Sequence, residues 1–425
     1  MRLQYDVHTV DRVVFGARGG FRDGVLTVDR EELRALLAAD PRLQAVDVQA
    51  ANPGESCRII NMFDVAEPRV KVEGGPNFPG AIEPIARVGA GRTRVLRGAA
   101  VVALNALYER YNTIIDMAGP GAELIPYGRT ANICVTGEPA PGVERPAYYR
   151  ALKEAMLKAG VFLARSAGDT PLKATETYDL DDRAAAAPPR PRVAYVYMLA
   201  SQQRPTHPDE PVLYGDNVRY LLPTILHPNE LLDGAVLCPF WNFGTETYFI
   251  QNHPIVLELY RRHGATLDFA GVVVTVAHVR EVERRRSVLM AANLAKNVLR
   301  ADGVLLTKVA GGIPESDLMA TCEALEEMGI KTTIVVWTHG TDRRVEGSLT
   351  VVSPRADAIV SVGMHDETVE LPPMERVIGG ELAGPFSEEA GAPALPAAGP
   401  LLVKYRDLAG VINQIGANRA SIEEY

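Results

Sequence analysis

The chain has 425 residues, of which 47% are hydrophobic and 23% charged, and its net charge is −9. This composition allows a large core and predicts a globular protein, while the acidic balance argues against a general nucleic-acid binder. No stretch approaches the roughly 18 to 20 apolar residues of a membrane span and the first residues show no apolar signal segment, so we expect a cytoplasmic protein.

The first half of the chain carries short extended runs that are densely interrupted by Pro and Gly. Residues 12–15 and 24–28 flank a glycine-rich turn, which predicts a hairpin. Residues 30–39 predict a short amphipathic helix with Asp29 as its N-cap. Apolar residues repeat at helical spacing over 146–167, where a longer helix is expected. Together these patterns are typical of a small mixed sheet or barrel with a closing helix.

The second half of the chain alternates predicted strands with predicted helices. This alternation, with short glycine loops, predicts a doubly wound, mainly parallel α/β domain. We therefore expect a β-rich mixed domain over 1–180, a Pro- and Ala-rich linker over 181–192, the α/β domain with the candidate site over 193–380, and a C-terminal tail over 381–425. The predicted elements of the α/β domain are strands at 193–199, 269–276, 303–308, 331–337 and 356–362, and helices at 254–262, 281–300 and 314–328.

Ligands of such sheets bind beyond the carboxyl ends of the strands. Four histidines fall in loops predicted to lie there: His207, His278, His339 and His365. A single loop histidine is more often a polar surface residue. Four of them at strand ends slightly strengthen the case for a polar site, and we take His339 as a candidate substrate ligand. Their spacing matches no metal-binding motif, so no metal is expected.

The stretch from residue 223 to 254 combines a cysteine with a polar, glycine-containing loop. Cys238 ends a short apolar run and is followed by a proline and two aromatic residues. Gln251, Asn252 and His253 follow in sequence and are candidate substrate ligands. The four cysteines of the chain are far apart and form no C-x-x-C pair, which favours neither a zinc site nor a disulfide scaffold. Cys238 is therefore the candidate catalytic residue, while burial as a small apolar side chain remains the common role of a cysteine.

Several short motifs, in order over roughly residues 1–380, are similar to those of one enzyme family. They are Pro53-Gly-Glu-Ser56, residues 64–74, Gly89-Ala-Gly-Arg-Thr93, residues 114–123, Val193-Ala-Tyr-Val-Tyr-Met198, Pro223-Thr-Ile-Leu226, Asp233-Gly-Ala-Val236, Asn252-His-Pro-Ile255 and residues 371–378. Through them the chain resembles the α/β proprotein of component B of the glycine/sarcosine/betaine reductases, a family related to D-proline reductase proproteins.

This resemblance implies a chemistry that no ordinary side chain supplies. Family proproteins cut themselves at a cysteine, matched here by Cys238, which becomes a pyruvoyl group at the new N-terminus. The pyruvoyl carbonyl captures the substrate amine as a Schiff base, and a selenocysteine or cysteine of a partner subunit then breaks the C–N bond. A cut before Cys238 would give fragments of 237 and 188 residues, the second carrying the α/β domain.

Three interpretations remain open. In the first, the chain is a pyruvoyl-type reductase subunit that acts on an amino acid or a related amine. In the second, it is an uncut homologue without a cofactor, in which Cys238 acts as a thiol or the loop of residues 251–253 binds substrate. In the third, it is a non-catalytic subunit that stabilises or gates a catalytic partner, and Cys238 only packs in the core.

Overall fold

The computed structural model describes residues 1–107, 114–168, 170–181, 189–201, 210–240, 244–338, 349–384, 393–411, 413–416 and 423–424. Its strands are β1 Arg2–Thr9, β2 Arg12–Phe15, β3 Gly20–Arg22, β4 Val25–Val28, β5 Leu43–Ala51, β6 Cys57–Ile59, β7 Met62–Ala66, β8 Arg69–Glu73, β9 Gly91–Arg97, β10 Ala99–Asn105, β11 Ile115–Asp116, β12 Ala131–Pro139, β13 Ala174–Asp179, β14 Arg192–Met198, β15 Thr224–Leu226, β16 Asp268–Thr275, β17 Gly303–Thr307, β18 Lys331–Thr338, β19 Ile359–Met364, β20 Thr368–Leu371, β21 Arg376–Ile378, β22 Leu382–Ala383, β23 Leu395–Pro396, β24 Leu401–Lys404 and β25 Glu423–Glu424. Its helices are α1 Arg30–Ala38, α2 Gly119–Leu124, α3 Arg145–Ser166, α4 Pro228–Leu232, α5 Thr247–Gln251, α6 Pro254–Arg262, α7 Glu281–Asn293, which continues as a π-helical turn over Leu294–Val298, and α8 Ile313–Glu327, with 3₁₀ turns at Pro126–Arg129 and Tyr405–Asp407. None of the described helices is both long enough and apolar enough to cross a membrane.

Two four-stranded sheets and the helix α3 make up most of the first half. Their strand orders are β13-β1-β9-β8 and β5-β12-β10-β7. The predicted helices are confirmed: α3 buries an apolar face against β8, β10 and β12, and α1 begins after Asp29, whose side chain accepts a hydrogen bond from the backbone of Glu32. Asp29 therefore satisfies one of the backbone N–H groups that a helix N-terminus leaves unpaired.

The predicted hairpin between β2 and β4 is wrong. These two strands pair in parallel, and the short strand β3 lies antiparallel to β4. Asp23 and Gly24 connect β3 to β4 with φ angles of 50° and 79°, and two residues of positive φ suit a tight hairpin turn. The glycine-rich segment therefore leads into an extra strand instead of forming one turn.

A seven-stranded sheet, in the order β15-β16-β14-β17-β18-β19-β25, forms the centre of the second half. The strands β16, β14, β17, β18 and β19 run parallel to their neighbours within this group, while β15 and β25 are antiparallel edges. The prediction of an α/β fold with mixed sheets and helices is confirmed. A cut before Cys238 would leave β14 and β15 on the first fragment, so the expectation that the second fragment alone carries the α/β domain is wrong.

The last part of the described chain returns to the first half. Strand β21 pairs in parallel with β6, which pairs on its other side with β11. Arg58 in β6 is fully buried and donates to both carboxylate oxygens of Asp116 at 2.6 and 2.9 Å. It also donates to the backbone carbonyls of Pro372, Ala397 and Gly399. These contacts tie the tail to the first half, and the division into domains stays a prediction.

Candidate functional site

Cys238 lies between α4 and α5, and its side chain is fully buried. The N–H of Leu237 donates to the carbonyl of Val212 at 2.9 Å. The N–H of Cys238 donates to Thr247 Oγ1 at 3.1 Å, and Thr247 is the first residue of α5. Hydrogen bonds from both amides therefore fix the main chain around the peptide bond that joins Leu237 to Cys238.

A buried ion pair contacts the other side of the Cys238 main chain. Lys153 Nζ in α3 donates to Asp64 Oδ2 in β7 at 2.6 Å and to the carbonyl oxygen of Cys238 at 2.8 Å. The side chains of Lys153 and Asp64 are both 0% exposed. A charge in the interior is costly unless it is paired and hydrogen-bonded, and this ammonium meets both conditions.

Asp64 also holds the N-terminus of α5. Its two carboxylate oxygens accept hydrogen bonds from the backbone N–H of Thr247 at 2.9 Å and from Thr247 Oγ1 at 2.6 Å. A carboxylate at a helix N-terminus is electrostatically favourable. Asp64 therefore orients both groups that touch the Cys238 main chain, the ammonium of Lys153 and the hydroxyl of Thr247.

Asp64, Lys153 and Thr247 were not among the residues predicted from the sequence. Asp64 stands in the otherwise apolar strand Met62–Ala66, and all five residues of that strand are buried. Lys153 likewise lies within the buried part of α3. An ionisable residue inside an apolar strand or on the apolar face of a helix is the sequence signal that could have identified them.

The surroundings of Cys238 keep its thiol protonated. Burial raises the pKa of the Cys238 thiol well above its ordinary value, and the charge of Asp64 raises it further, while Lys153 opposes this shift. The carboxylates of Glu246 and Glu210 add to the increase. Because the thiolate is the nucleophilic form of cysteine, this site does not favour a thiol that is reactive at rest.

Two of the predicted substrate ligands lie close to charged residues that follow β7 or belong to β8 and β9. Gln251 Oε1 accepts from the N–H of Glu67 at 2.8 Å, and Gln251 Nε2 donates to the carbonyl of Glu67 at 3.3 Å, so its amide is occupied by backbone. Asn252 Oδ1 accepts from Arg69 at 3.0 Å and also from Arg97. These contacts connect α5 to the first half of the chain.

Asn252 borders an open polar cavity of about 600 Å³. Arg97, Glu176 and His263 also line it, and Arg97 forms ion pairs with Glu67 and with Glu176 at 2.8 and 2.9 Å. A cavity of this size holds a small polar molecule with room to spare. Among the predicted substrate ligands that the structure describes, Asn252 is the one that lines this cavity.

His253 packs edge-on against Tyr195 and Tyr197, with ring centroids 5.2 and 5.0 Å away. Burial lowers the pKa of its imidazole to about 3, so the ring is neutral at physiological pH. Neither ring nitrogen has a hydrogen-bond partner on another described residue. His339 and His207 lie outside the described residues, and the substrate-binding roles of residues 251, 252, 253 and 339 stay predictions.

Comparison with known proteins gives one consistent family. Residues 1–423 match the family model of glycine/sarcosine/betaine reductase component B subunits. The chain is 36% identical over 437 aligned positions to the glycine reductase complex component B subunits alpha and beta of Peptoclostridium acidaminophilum, and 34% identical over 434 to those of Acetoanaerobium sticklandii, with 100% of each chain covered. It is 35% identical over 387 positions to the sarcosine reductase complex component B subunit alpha of Peptoclostridium acidaminophilum, with 89% of each chain covered. No solved structure matches the chain.

Proposed function

The chain belongs to the family of glycine/sarcosine/betaine reductase component B subunits, and from this premise we propose that it serves in the reductive cleavage of a C–N bond in a small amino acid or related amine, through a pyruvoyl group made from Cys238. The observation that carries the proposal is the contact between Lys153 and the Cys238 carbonyl, 2.8 Å long, inside the core. A buried cation that donates a hydrogen bond to a main-chain carbonyl polarises that carbonyl.

The residues around Cys238 fit a pyruvoyl group at this position. Such a group would supply an electrophilic carbonyl that withdraws electrons from a bound amine. Lys153 would hold the carbonyl of residue 238, and Thr247 would lie on the side where the nitrogen of Cys238 now stands. Asp64 would keep both side chains in place, and the burial of all three would exclude water.

The names of two relatives support division of the chain. Each is a single sequence of matching length whose name gives two subunits, alpha and beta. A cut before Cys238 would make two subunits from one chain here as well. We further propose, as the resemblance implies, that a selenocysteine- or cysteine-containing subunit of the same complex attacks the substrate, since a carbonyl alone does not supply electrons.

We also infer that the parallel strands of the second half form a doubly wound domain. The first strand in sequence, β14, lies between the second, β16, and the third, β17, so the direction of winding reverses between β14 and β17. Open sheets with this order bind ligands at the reversal, beyond the carboxyl ends of the strands.

The alternative is an uncut subunit that binds substrate without a pyruvoyl group. The polar cavity next to Asn252 favours it, since Arg97 and Glu176 offer charges of both signs to an amino acid. Under this alternative, substitution of Asn252 weakens substrate binding while the chain stays whole.

Intact mass spectrometry of the denatured protein separates these functions. Two fragments that meet at residue 238, the second of them blocked to Edman degradation and reactive with a carbonyl reagent, are the expected result. Cys238→Ala is the control and is expected to fold as one chain. A single full-length mass with one alkylatable thiol at Cys238 would contradict the proposed function and favour the alternative.

A further inference from the structure

Lys153 contacts more than its ion-pair partner. Its ammonium group donates to Asp64, donates to the carbonyl of Cys238, and lies 5.2 Å from the ring centroid of Phe63. Pairing with Asp64 compensates the charge, and a further N–H of the ammonium is directed to a main-chain carbonyl. That carbonyl belongs to the residue where the chemistry is proposed to occur.

We propose that Lys153 stabilises the negative charge that develops on the Cys238 carbonyl during maturation, and that Asp64 and Thr247 position the main chain for this step. The inference rests on the proposed function, because it concerns how Cys238 is converted. It assigns roles to three residues that lie far from Cys238 in the sequence, and it makes the carbonyl of residue 238, instead of the sulfur, the centre of the site.

The conversion of Cys238 requires two successive bond cleavages. First, the sulfur attacks the carbonyl carbon of Leu237, the amide nitrogen takes up a proton and the C–N bond breaks, which leaves a thioester and an α-amino group. Second, a base removes the Cα proton of Cys238, the Cα–Cβ double bond forms and the C–S bond breaks, which releases a thiocarboxylate on Leu237. The enamine then becomes an imine, and water hydrolyses it to the ketone and ammonia, while a second water converts the thiocarboxylate to a carboxylate and hydrogen sulfide.

Lys153 is placed to act on the second cleavage. Removal of the Cα proton shifts negative charge onto the adjacent carbonyl oxygen of residue 238, and Lys153 Nζ already lies 2.8 Å from this atom. The first cleavage instead develops charge on the carbonyl oxygen of Leu237, one residue earlier in the chain. A preorganised donor is most effective at the atom where charge develops, so the contact favours a role in elimination.

Asp64 and Thr247 act through other groups. Thr247 holds the N–H of Cys238, and Asp64 holds both Thr247 and Lys153. The N–H and the carbonyl of Cys238 are therefore fixed from opposite sides of its Cα by one carboxylate. This arrangement keeps the Cα–H bond in one orientation to the carbonyl, which is what removal of the proton requires.

The test follows maturation in the full-length protein after cell-free synthesis, by denaturing mass spectrometry with and without hydroxylamine, which cleaves thioesters. Lys153→Met is compared with Lys158→Met, a control on the same helix whose side chain is 36% exposed. The wild type and the control should give two fragments. In Lys153→Met, fragment formation should slow by about 100-fold or more, as for other lost donors to a developing oxyanion, and hydroxylamine should cleave the full-length chain between residues 237 and 238.

A second variant excludes a defect of folding. Asp64→Asn combined with Lys153→Met removes both charges, so no unpaired carboxylate is left in the core, and its thermal unfolding is compared with that of the wild type. Fragments formed by this folded variant at the wild-type rate would overturn the role of Lys153 while leaving the proposed function intact. If the Lys153→Met chain stays full-length and hydroxylamine does not cleave it, no thioester has formed, and the assignment of Lys153 to the elimination step is overturned. A wild-type chain that stays whole would instead contradict the proposed function itself, and this inference with it.

Discussion

Residues 1–237 and 238–425, produced together as two separate chains, should form one complex that does not come apart without denaturant. The reason is the place of β14. This strand belongs to the first chain, yet it lies between β16 and β17 of the second chain in the seven-stranded sheet. The second chain therefore cannot complete its sheet alone, and separating the chains requires removal of a central strand.

The buried side chains of β14 give an estimate of the free energy that holds the two chains together. Residues 194 to 198 are each no more than 3% exposed, and the four larger ones are Tyr195, Val196, Tyr197 and Met198. Burial of one such side chain contributes about 2 kcal/mol, so these four contribute about 8 kcal/mol as an upper estimate. This energy corresponds to nearly six orders of magnitude in an equilibrium constant, at about 1.4 kcal/mol for each factor of ten. The hydrogen bonds of β14 to both neighbouring strands add to it.

Size-exclusion chromatography of the co-expressed chains provides the assay. The expected result is co-elution of both chains in buffer and their separation in concentrated urea. Val196→Asp places a charge in the centre of the sheet and should abolish the complex, whereas Thr175→Asp, on an exposed position of β13, should leave it intact. Two chains that elute separately in buffer, each folded, would refute the reasoning.

Three further predictions concern pH and buried charges. The pKa of the Cys238 thiol is raised, so the nucleophilic thiolate is a small fraction that grows about tenfold with each pH unit. The rate of thioester formation should therefore increase about tenfold per pH unit, which time courses quenched at different pH values would show. A rate that does not change with pH would contradict this prediction. Arg58→Met leaves Asp116 buried and unpaired and should lower the free energy of unfolding by about 3 to 5 kcal/mol in urea titrations, whereas replacing both partners with apolar residues should lower it far less. His253 titrates at about 3 in the fold against 6.5 in an unfolded chain. The unfolded chain therefore takes up the proton first as the pH falls, and stability is lost between pH 6.5 and 3 by up to about 1.4 kcal/mol per unit. His253→Phe should lose less stability on acidification than the wild type, and equal acid sensitivity would show that His253 does not contribute.

Much of the fold could be predicted from the sequence because its signals are local. The spacing of apolar residues located α3, and short apolar runs located β16, β17 and β18, because both patterns follow directly from the geometry of helices and strands. The pairing of β2 with β4 could not be read in this way. It depends on the turn at Asp23 and Gly24, which inserts a strand between two segments that are close in sequence.

The contacts around Cys238 could not be predicted from local sequence patterns either, because they join residues that are far apart in the sequence. Lys153 is 85 residues from Cys238 and 89 from Asp64 in the sequence, and no periodicity of α3 or β7 states which of their residues face each other. The sequence does show that each charged residue interrupts an apolar segment. What it lacks is the packing of α3 on the sheet that contains β7, which brings the two charges together beside one carbonyl.

The contacts of Cys238 distinguish between the uses that a buried cysteine can have. A thiol enzyme needs a cation or a helix N-terminus at the sulfur, so that the thiol pKa falls. Here burial and Asp64 raise that pKa, although Lys153 is close enough to oppose the shift. The same Lys153 donates to the carbonyl of Cys238, and Thr247 accepts from its N–H. A cysteine that only filled space would not require an ion pair at its main chain. The site is therefore organised around the backbone of Cys238, whose amide bond to Leu237 and whose carbonyl are the groups on which the proposed maturation would act.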